Sequence, residues 1–285
     1  MLETAKRLIP FTPRQQASLE STWSIVQGNV ELTAALQRDS GILADAAQAP
    51  AYTADPALLE RTLGKDWRVY PVLILLTRLP WLQDMYAQHG IGEEVLRGTL
   101  ADLLIWMEDC ERRTGECGLQ DYGWLSNHFR FVLFAVGRLQ YIVYRAQPEV
   151  AAMAQGICEG DTVLQLHIPA GAPLNTDAAL ASLQSAPGFF REHLHTEGIK
   201  AVVCESWLMN PYLPEIVPGS NLARFSQLFT VAKETDSDAQ MFERVFDRPL
   251  DAWENMPQDT SLRRAMRAWY ERGGRCNGCL AYRMI

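Results

Sequence analysis

Residues 155–231 alternate apolar strands with helical segments, and this alternation constrains the fold more than any other feature of the chain. The run VLQLHIP reads as a strand, AGAPLNT as a turn rich in Gly, Pro and Asn, and the residues from Thr176 as a helix. KAVVCESWL is a second apolar strand and NLARFSQLF a second helix. Strands separated by helices need crossover connections, so some parallel pairing is expected.

The residues before this stretch read differently. Thr12-Pro13 has the form of a helix start, with helical signals to about Leu43. Residues 44–55 read as a surface connection, and helix resumes at Pro56 behind the cap Asp55. Pro71 and Pro80 divide the chain beyond Pro56 into short helices, because proline lacks the amide hydrogen and crowds the preceding turn. Residues 91–110 form the clearest helix, with Leu96, Leu100, Leu103 and Met107 on one face. After a break at 115–123, a further helix is expected to carry Leu125, Phe129, Val132, Leu133 and Val136.

At Gly137 the texture changes. Residues 139–144 are β-branched and aromatic, which favours a strand. Strands follow at 161–168, 200–208, 230–234 and 279–285, with helices near 221–229, 240–248 and 259–272. In the last, Leu262, Ala265, Met266 and Trp269 share a face and Gly273-Gly274 closes it. Pro187-Gly188 is expected to kink or stop the helix that begins at Thr176. The fold class is therefore α+β: an all-helical N-terminal domain, residues 1–136, packed on an α/β C-terminal domain, residues 137–285.

Charge and composition narrow the function. The formal net charge of −8 is shared evenly between the two halves, so there is no basic platform and no nucleic-acid partner is expected. Pro10 and Pro13 stand where a secretory signal would have its apolar core. The apolar runs at 70–76 and 129–137 are too short to span a bilayer, so no membrane partner is expected. Six cysteines without a small-domain staple pattern point to reduced thiols and a cytoplasmic protein. Cys276-Asn277-Gly278-Cys279 has no second pair beside it, and Cys110 and Cys117 are no better placed, so no metal is expected. No oligomeric state follows from the sequence.

Several groups of residues carry a family likeness. They are Gly137-Arg138-Leu139-Gln140-Tyr141, then His167-Ile168-Pro169 with Gly171 and Pro173-Leu174, then Cys204-Glu205-Ser206-Trp207-Leu208 with Pro211, and Ser220-Asn221-Leu222 with Phe225. On these the chain resembles two-domain bacterial acyltransferase-like proteins that join a helical N-terminal domain to a GNAT-like (N-acetyltransferase-like) C-terminal domain. The resemblance implies a mixed-sheet C-terminal fold and transfer of an acyl group to an amine. The co-substrate would be acetyl-CoA or another acyl-CoA, and the partner a small-molecule or amine acceptor. The wider superfamily signature is Gln or Arg, two residues, Gly, one residue, then Gly or Ala. The loop PAGAPLNT does not reproduce it.

Such a transfer needs a diphosphate grip, a base, an oxyanion donor and a proton for the leaving sulfur. For the grip the candidates are Ala170, Gly171, Ala172, Asn175 and Thr176, where a strand end meets a helix start. The bland reading of that loop is an ordinary turn with a helix cap. His167 is the candidate base or orienter, at the C-terminal end of its strand beside Gln165 and Val163; a satisfied core histidine is the alternative. Glu205 shares a face with Val203 and Trp207. A carboxylate inside a strand of buried character needs a function or a partner such as Arg138. Ser206 or Tyr212 would place a hydroxyl near the sulfur, and Asn221 would bond the pantetheine amides beyond its place in a helix cap. Two other readings stand beside the enzyme: a non-catalytic module that binds an acyl-CoA or other small molecule on the same fold, and a protein-interaction scaffold without a ligand.

Overall fold

A short helix, α1 (Leu2–Leu8), precedes α2 (Pro13–Gly28), which opens on a capping box. The Thr12 hydroxyl accepts from the Gln15 amide at 3.2 Å, and the Gln15 side chain accepts from the Thr12 amide at 2.9 Å. Asn29 caps α3 (Val30–Ala44) and Asp55 caps α4 (Pro56–Leu63), each by its side chain alone, accepting from the Leu32 and Leu58 amides. The computed structural model describes residues 1–45, 47–49, 54–120 and 122–285; part of the connection expected at 44–55 lies outside them. The chain divides into two units, Met1–Ala135 and Val136–Ile285.

In the first unit every residue of α5 (Val69–Leu76) is buried, so this apolar helix is the spine around which the others pack. Pro80 sits in the first turn of α6 (Leu79–Gln88), where a missing amide hydrogen costs nothing. The single helix expected at 91–110 is two, α7 (Glu93–Leu100) and α8 (Asp102–Thr114), meeting at Ala101. Leu96, Leu100, Leu103 and Met107 are all buried, so the apolar face is as the spacing implies. Gly115 ends α8 at φ 76°, a left-handed cap that suits glycine.

The helix expected across 125–136 is a correction. Only α9 (Ser126–Phe129) is helical, and β1 (Leu133–Val136) is a strand. Phe131 at φ 61° turns the chain out of the helical path. All four residues of β1 are buried, and a short run apolar on every side has no period to tell helix from strand.

The second unit continues with β2 (Leu139–Arg145), α10 (Pro148–Met153), β3 (Thr162–His167), α11 (Thr176–Leu194) and β4 (Ala201–Ser206). Then come α12 (Leu213–Ile216), α13 (Asn221–Ser226), β5 (Thr230–Glu234), α14 (Ala239–Phe246), α15 (Ser261–Glu271) and β6 (Cys279–Met284). The sheet order is β1-β2-β3-β4-β6-β5, and the chain passes from one unit to the other within β1. β3 and β4 are parallel, joined by the α11 crossover, while β2–β3, β4–β6 and β5–β6 are antiparallel. The fold is thus helical followed by a mixed-sheet α/β part.

The two sheet faces are covered by different elements. Tyr141 of β2 reaches α11, with its hydroxyl 2.8 Å from Ser182 Oγ and its ring edge-on to Phe190. Val163, Ala201, Val203 and Tyr282 point the other way and pack with Val150 of α10, Ala154 and Ile157. Contrary to expectation, α11 runs on through Pro187 and Gly188 to Leu194. Proline in a helix interior forfeits one hydrogen bond, and burial of Ala186 and Phe190 on either side holds the helix together across it. Beyond the end of β4, α12, α14 and α15 enclose a separate apolar cluster around Met241, Phe242, Phe246 and Met266. Among the described residues no helix is long and apolar enough to cross a membrane.

Candidate active site

The parallel pairing of β3 with β4 stops early. Val163 pairs with Ala201, Leu164 with Val202 and Gln165 with Val203, and there the register ends. Yet both strands go on, each paired to its outer neighbour: His167 with Gln140 of β2, and Ser206 with Cys279 of β6. A sheet that stays paired outside and parts in the middle leaves an opening at the carboxyl ends of its parallel strands, where open α/β sheets take ligands. The inner edges present backbone donors and acceptors of the kind an extended amide chain can pair with.

Strand alternation decides what lines this opening. Val163, Gln165 and His167 share one face of β3, and Ala201, Val203 and Glu205 share that same face of β4. His167 and Glu205 therefore stand on one face, each two residues past the last paired position. Gln140, opposite His167, joins them; it is 1 % exposed and its Oε1 accepts no hydrogen bond from the protein.

Glu205 corrects the expectation of a buried carboxylate: its side chain is exposed, as is that of Gln165 on the same face. Nor does Arg138 pair with it. The Arg138 guanidinium donates instead to three carbonyl oxygens of the loop after β3: Ala172 at 2.8 Å, Pro169 at 3.0 Å and Pro173 at 3.2 Å. Burial holds the guanidinium below its ordinary pKa.

That loop contains Ala170, Gly171 and Ala172, all exposed, with Gly171 at φ 85°, a conformation glycine adopts without strain. Asn175 caps α11, its Oδ1 accepting from the Ala178 amide at 3.0 Å. The amides of Thr176 and Asp177 remain as donors at the start of a 19-residue helix, where the dipole favours an anion.

Ser206 lies on the opposite face of β4 from Glu205. Its Oγ accepts from the Leu208 amide at 3.2 Å and so opens the 3₁₀ turn Trp207–Met209. Tyr212 follows this turn. Its amide donates to Asn210 Oδ1 at 3.0 Å, and its ring, 43 % exposed, lies 5.5 Å from that of Trp269. Asn221 accepts from Arg224 Nη2 at 2.8 Å, while Ser220 caps α13 through the Ala223 amide. The structure thus gathers His167, Glu205 and Gln140 on one face of the opening, and sets Ser206 on the other.

Gln140 and Arg138 escaped the sequence reading as site residues. Both sit in the Gly137–Tyr141 group, Gln140 on the strand antiparallel to β3 and Arg138 in the turn before it. The signal was a Gln on a strand otherwise apolar and an Arg directly after a turn glycine.

The cysteines take no part. Cys204 is fully buried and its thiol is pushed up to about 12 by desolvation. Cys276 and Cys279 are buried free thiols, raised to about 12 and about 11, again chiefly by burial. Among the described residues no three His, Cys, Asp or Glu side chains could hold a metal together.

Comparison with known proteins gives the family and the fold. Residues 133–280 match the family model of the GNAT-like C-terminal domain, and residues 2–131 that of the N-acyltransferase N-terminal domain. No curated protein matches the chain. Among solved structures it is similar to an acyltransferase in complex with decanoyl-CoA and teicoplanin, at 25 % identity over 87 % of this chain and 76 % of that one, TM-score 0.73. It is similar also to an acyltransferase in complex with decanoyl-CoA, at 27 % identity over 88 % and 76 % of the two chains, TM-score 0.71. A third, in complex with CoA and 10C-teicoplanin, gives 26 % identity over 76 % and 67 %, TM-score 0.67.

Proposed function

Because this chain belongs to the family that joins an N-acyltransferase N-terminal domain to a GNAT-like C-terminal domain, and is an acyltransferase that takes its acyl group from a CoA thioester, we propose that transfer to the amine occurs in the opening between β3 and β4. The observation that carries this reading is the end of parallel pairing at Gln165 and Val203, with His167 and Glu205 on one face beyond it.

The pantetheine arm lies between the parted strands and bonds their free edges, with Asn221 within the candidate amide contacts. The diphosphate rests against Ala170, Gly171 and Ala172 and the first turn of α11, with Asn175 and Thr176 shaping that turn. The acceptor amine approaches the thioester carbonyl on the face of His167. Its nitrogen attacks the carbonyl carbon, and the proton it loses goes to His167. Glu205, in the open part of the same face, draws the ammonium form of the amine in and takes its first proton, which frees the nitrogen lone pair for the attack. The tetrahedral intermediate then collapses: the C–S bond breaks, CoA leaves as thiolate, and the Tyr212 hydroxyl, beyond the end of β4, gives its proton to that sulfur. Ser206, on the opposite face with its oxygen bonded to the Leu208 amide, serves to set the turn after β4. The products are an amide and free CoA.

Two similar structures hold decanoyl-CoA, one of them with teicoplanin, and a third holds CoA with 10C-teicoplanin. Decanoyl-CoA is accordingly the donor, and an amine on a glycopeptide the acceptor class, with which to begin. Six free cysteines suit a reducing cytoplasm as the place of work.

The test is thiol release. Decanoyl-CoA at 100 times its Kd should stabilise the protein by about 2.7 kcal/mol, and free CoA should appear when an amine is added. Binding without thiol release for any amine would make the chain an acyl-CoA-binding module. The absence of any thermal shift with millimolar acyl-CoA would sink the reading.

A further inference from the structure

Arg138 is a half-buried cation with no carboxylate partner among the described residues. Three of its five N–H donors are taken by the carbonyls of Pro169, Ala172 and Pro173, and both donors on Nη1 are uncommitted among the described residues. Carbonyl oxygens satisfy hydrogen bonds but do not neutralise a charge, and a partly desolvated cation without a counter-ion attracts an anion strongly. The three carbonyls also belong to the loop that would meet the CoA diphosphate. The peptide groups are trans, so the amides of Ala170 and Leu174 point away from Arg138.

We propose that Arg138 supplies the cation for the CoA diphosphate, so that a side chain from the turn before β2 does what the missing basic and glycine positions of the loop would otherwise do. The inference rests on the reading of residues 169–176 as the diphosphate site. Arg138 keeps its loop bonds and offers Nη1 to a phosphate oxygen, while the first-turn amides of α11 meet the same group.

The experiment compares decanoyl-CoA with decanoyl-pantetheine, which carries the same thioester and no diphosphate, in the wild type and in Arg138→Gln and Arg138→Lys. Glutamine can still donate to the loop carbonyls but carries no charge. Arg138→Gln should raise KM for decanoyl-CoA about 10- to 100-fold with kcat unchanged, and should leave decanoyl-pantetheine kinetics as in the wild type. Arg138→Lys should restore most of the CoA affinity. The wild-type KM for decanoyl-CoA should rise with ionic strength more steeply than that of the glutamine variant. An equal loss on both thioesters would reduce Arg138 to a scaffold of the loop, and no loss on either would remove it from the site; both results overturn the proposal. A wild type that neither binds nor cleaves decanoyl-CoA refutes the acyltransfer reading itself, and this proposal with it. Normal decanoyl-pantetheine turnover doubles as the control that each variant is folded.

Discussion

Gln140 stands directly across the β2–β3 pair from His167, and its buried Oε1 accepts no hydrogen bond from the protein. Directly opposed residues on neighbouring strands have Cβ atoms only about 5 Å apart. An unpaired buried acceptor costs on the order of 1–3 kcal/mol, and this one stands on the same face as His167. His167→Ala should lower kcat by about 10²- to 10⁴-fold, the range of a lost general base, while the Kd for decanoyl-CoA holds. Gln140→Leu keeps the volume and removes the amide; kcat should fall by about tenfold, with stability unchanged or higher because an unpaired buried group has gone. Steady-state thiol release and urea unfolding of the same samples check both. Full activity in Gln140→Leu would take the residue out of the site.

Glu205 separates function from folding more cleanly, because it is exposed. Exposed substitutions away from caps and cores usually change stability by less than about 0.5 kcal/mol. Glu205→Gln should therefore melt with the wild type and still lose at least about tenfold in kcat. Differential scanning fluorimetry beside thiol-release kinetics reads the two together. Unchanged turnover would leave Glu205 as an ordinary solvated residue.

These two residues also show where sequence reading succeeds. The period-two alternation around His167 and Glu205 assigned each to a strand face, and the structure adds that the two faces are the same one. Strand alternation is local, so it survives translation from sequence to structure; the register between strands is not local and has to be seen. The same limit explains Glu205. Its neighbours 201–204 are buried, and its exposure depends on what covers that face of the sheet, which the strand's own residues do not carry. Arg138 lies 35 positions from Pro173, whose carbonyl it holds, and nothing in either segment alone announces that bond. The misread helix across Leu133–Val136 has a different origin: apolar residues at three- and four-residue steps coincide there with a strand buried on both faces.

The continuation of α11 through Pro187 and Gly188 leads to a prediction about stability alone. Gly188 is helical, and a Cβ built on it meets no atom within 4 Å. Alanine there loses less backbone entropy on folding than glycine does. Gly188→Ala should stabilise the protein by about 0.5–1 kcal/mol, read as a higher urea midpoint with an unchanged m-value. A lower midpoint would mean that the helix at Pro187 needs the freedom of glycine after all.

The buried thiols should make stability fall at alkaline pH. Cys204 and Cys276 are pushed up to about 12, and Cys117 and Cys279 to about 11, in each case first by burial. In the unfolded chain a cysteine ionises near 8.5. Above that pH the unfolded state has lost a proton that the folded state still holds, so the unfolded state binds fewer protons and stability falls as pH rises. The contribution is intact below about pH 8.5 and erodes up to the folded pKa, at roughly 1.4 kcal/mol per pH unit for each such thiol. Tyr70 and Tyr141, also raised by burial, add to the decline once pH passes the ordinary tyrosine range near 10. Urea midpoints measured at pH 8, 9 and 10 should fall steadily, and Cys204→Ala should make the fall shallower by about one thiol's share. Below this range the same burial protects the thiols. Iodoacetamide at pH 8 should label exposed Cys158 first and leave Cys204, Cys276 and Cys279 for the denatured protein, as mass spectrometry would report. Prompt labelling of Cys204 in the native protein would show that the sheet opens beyond the parting of β3 and β4.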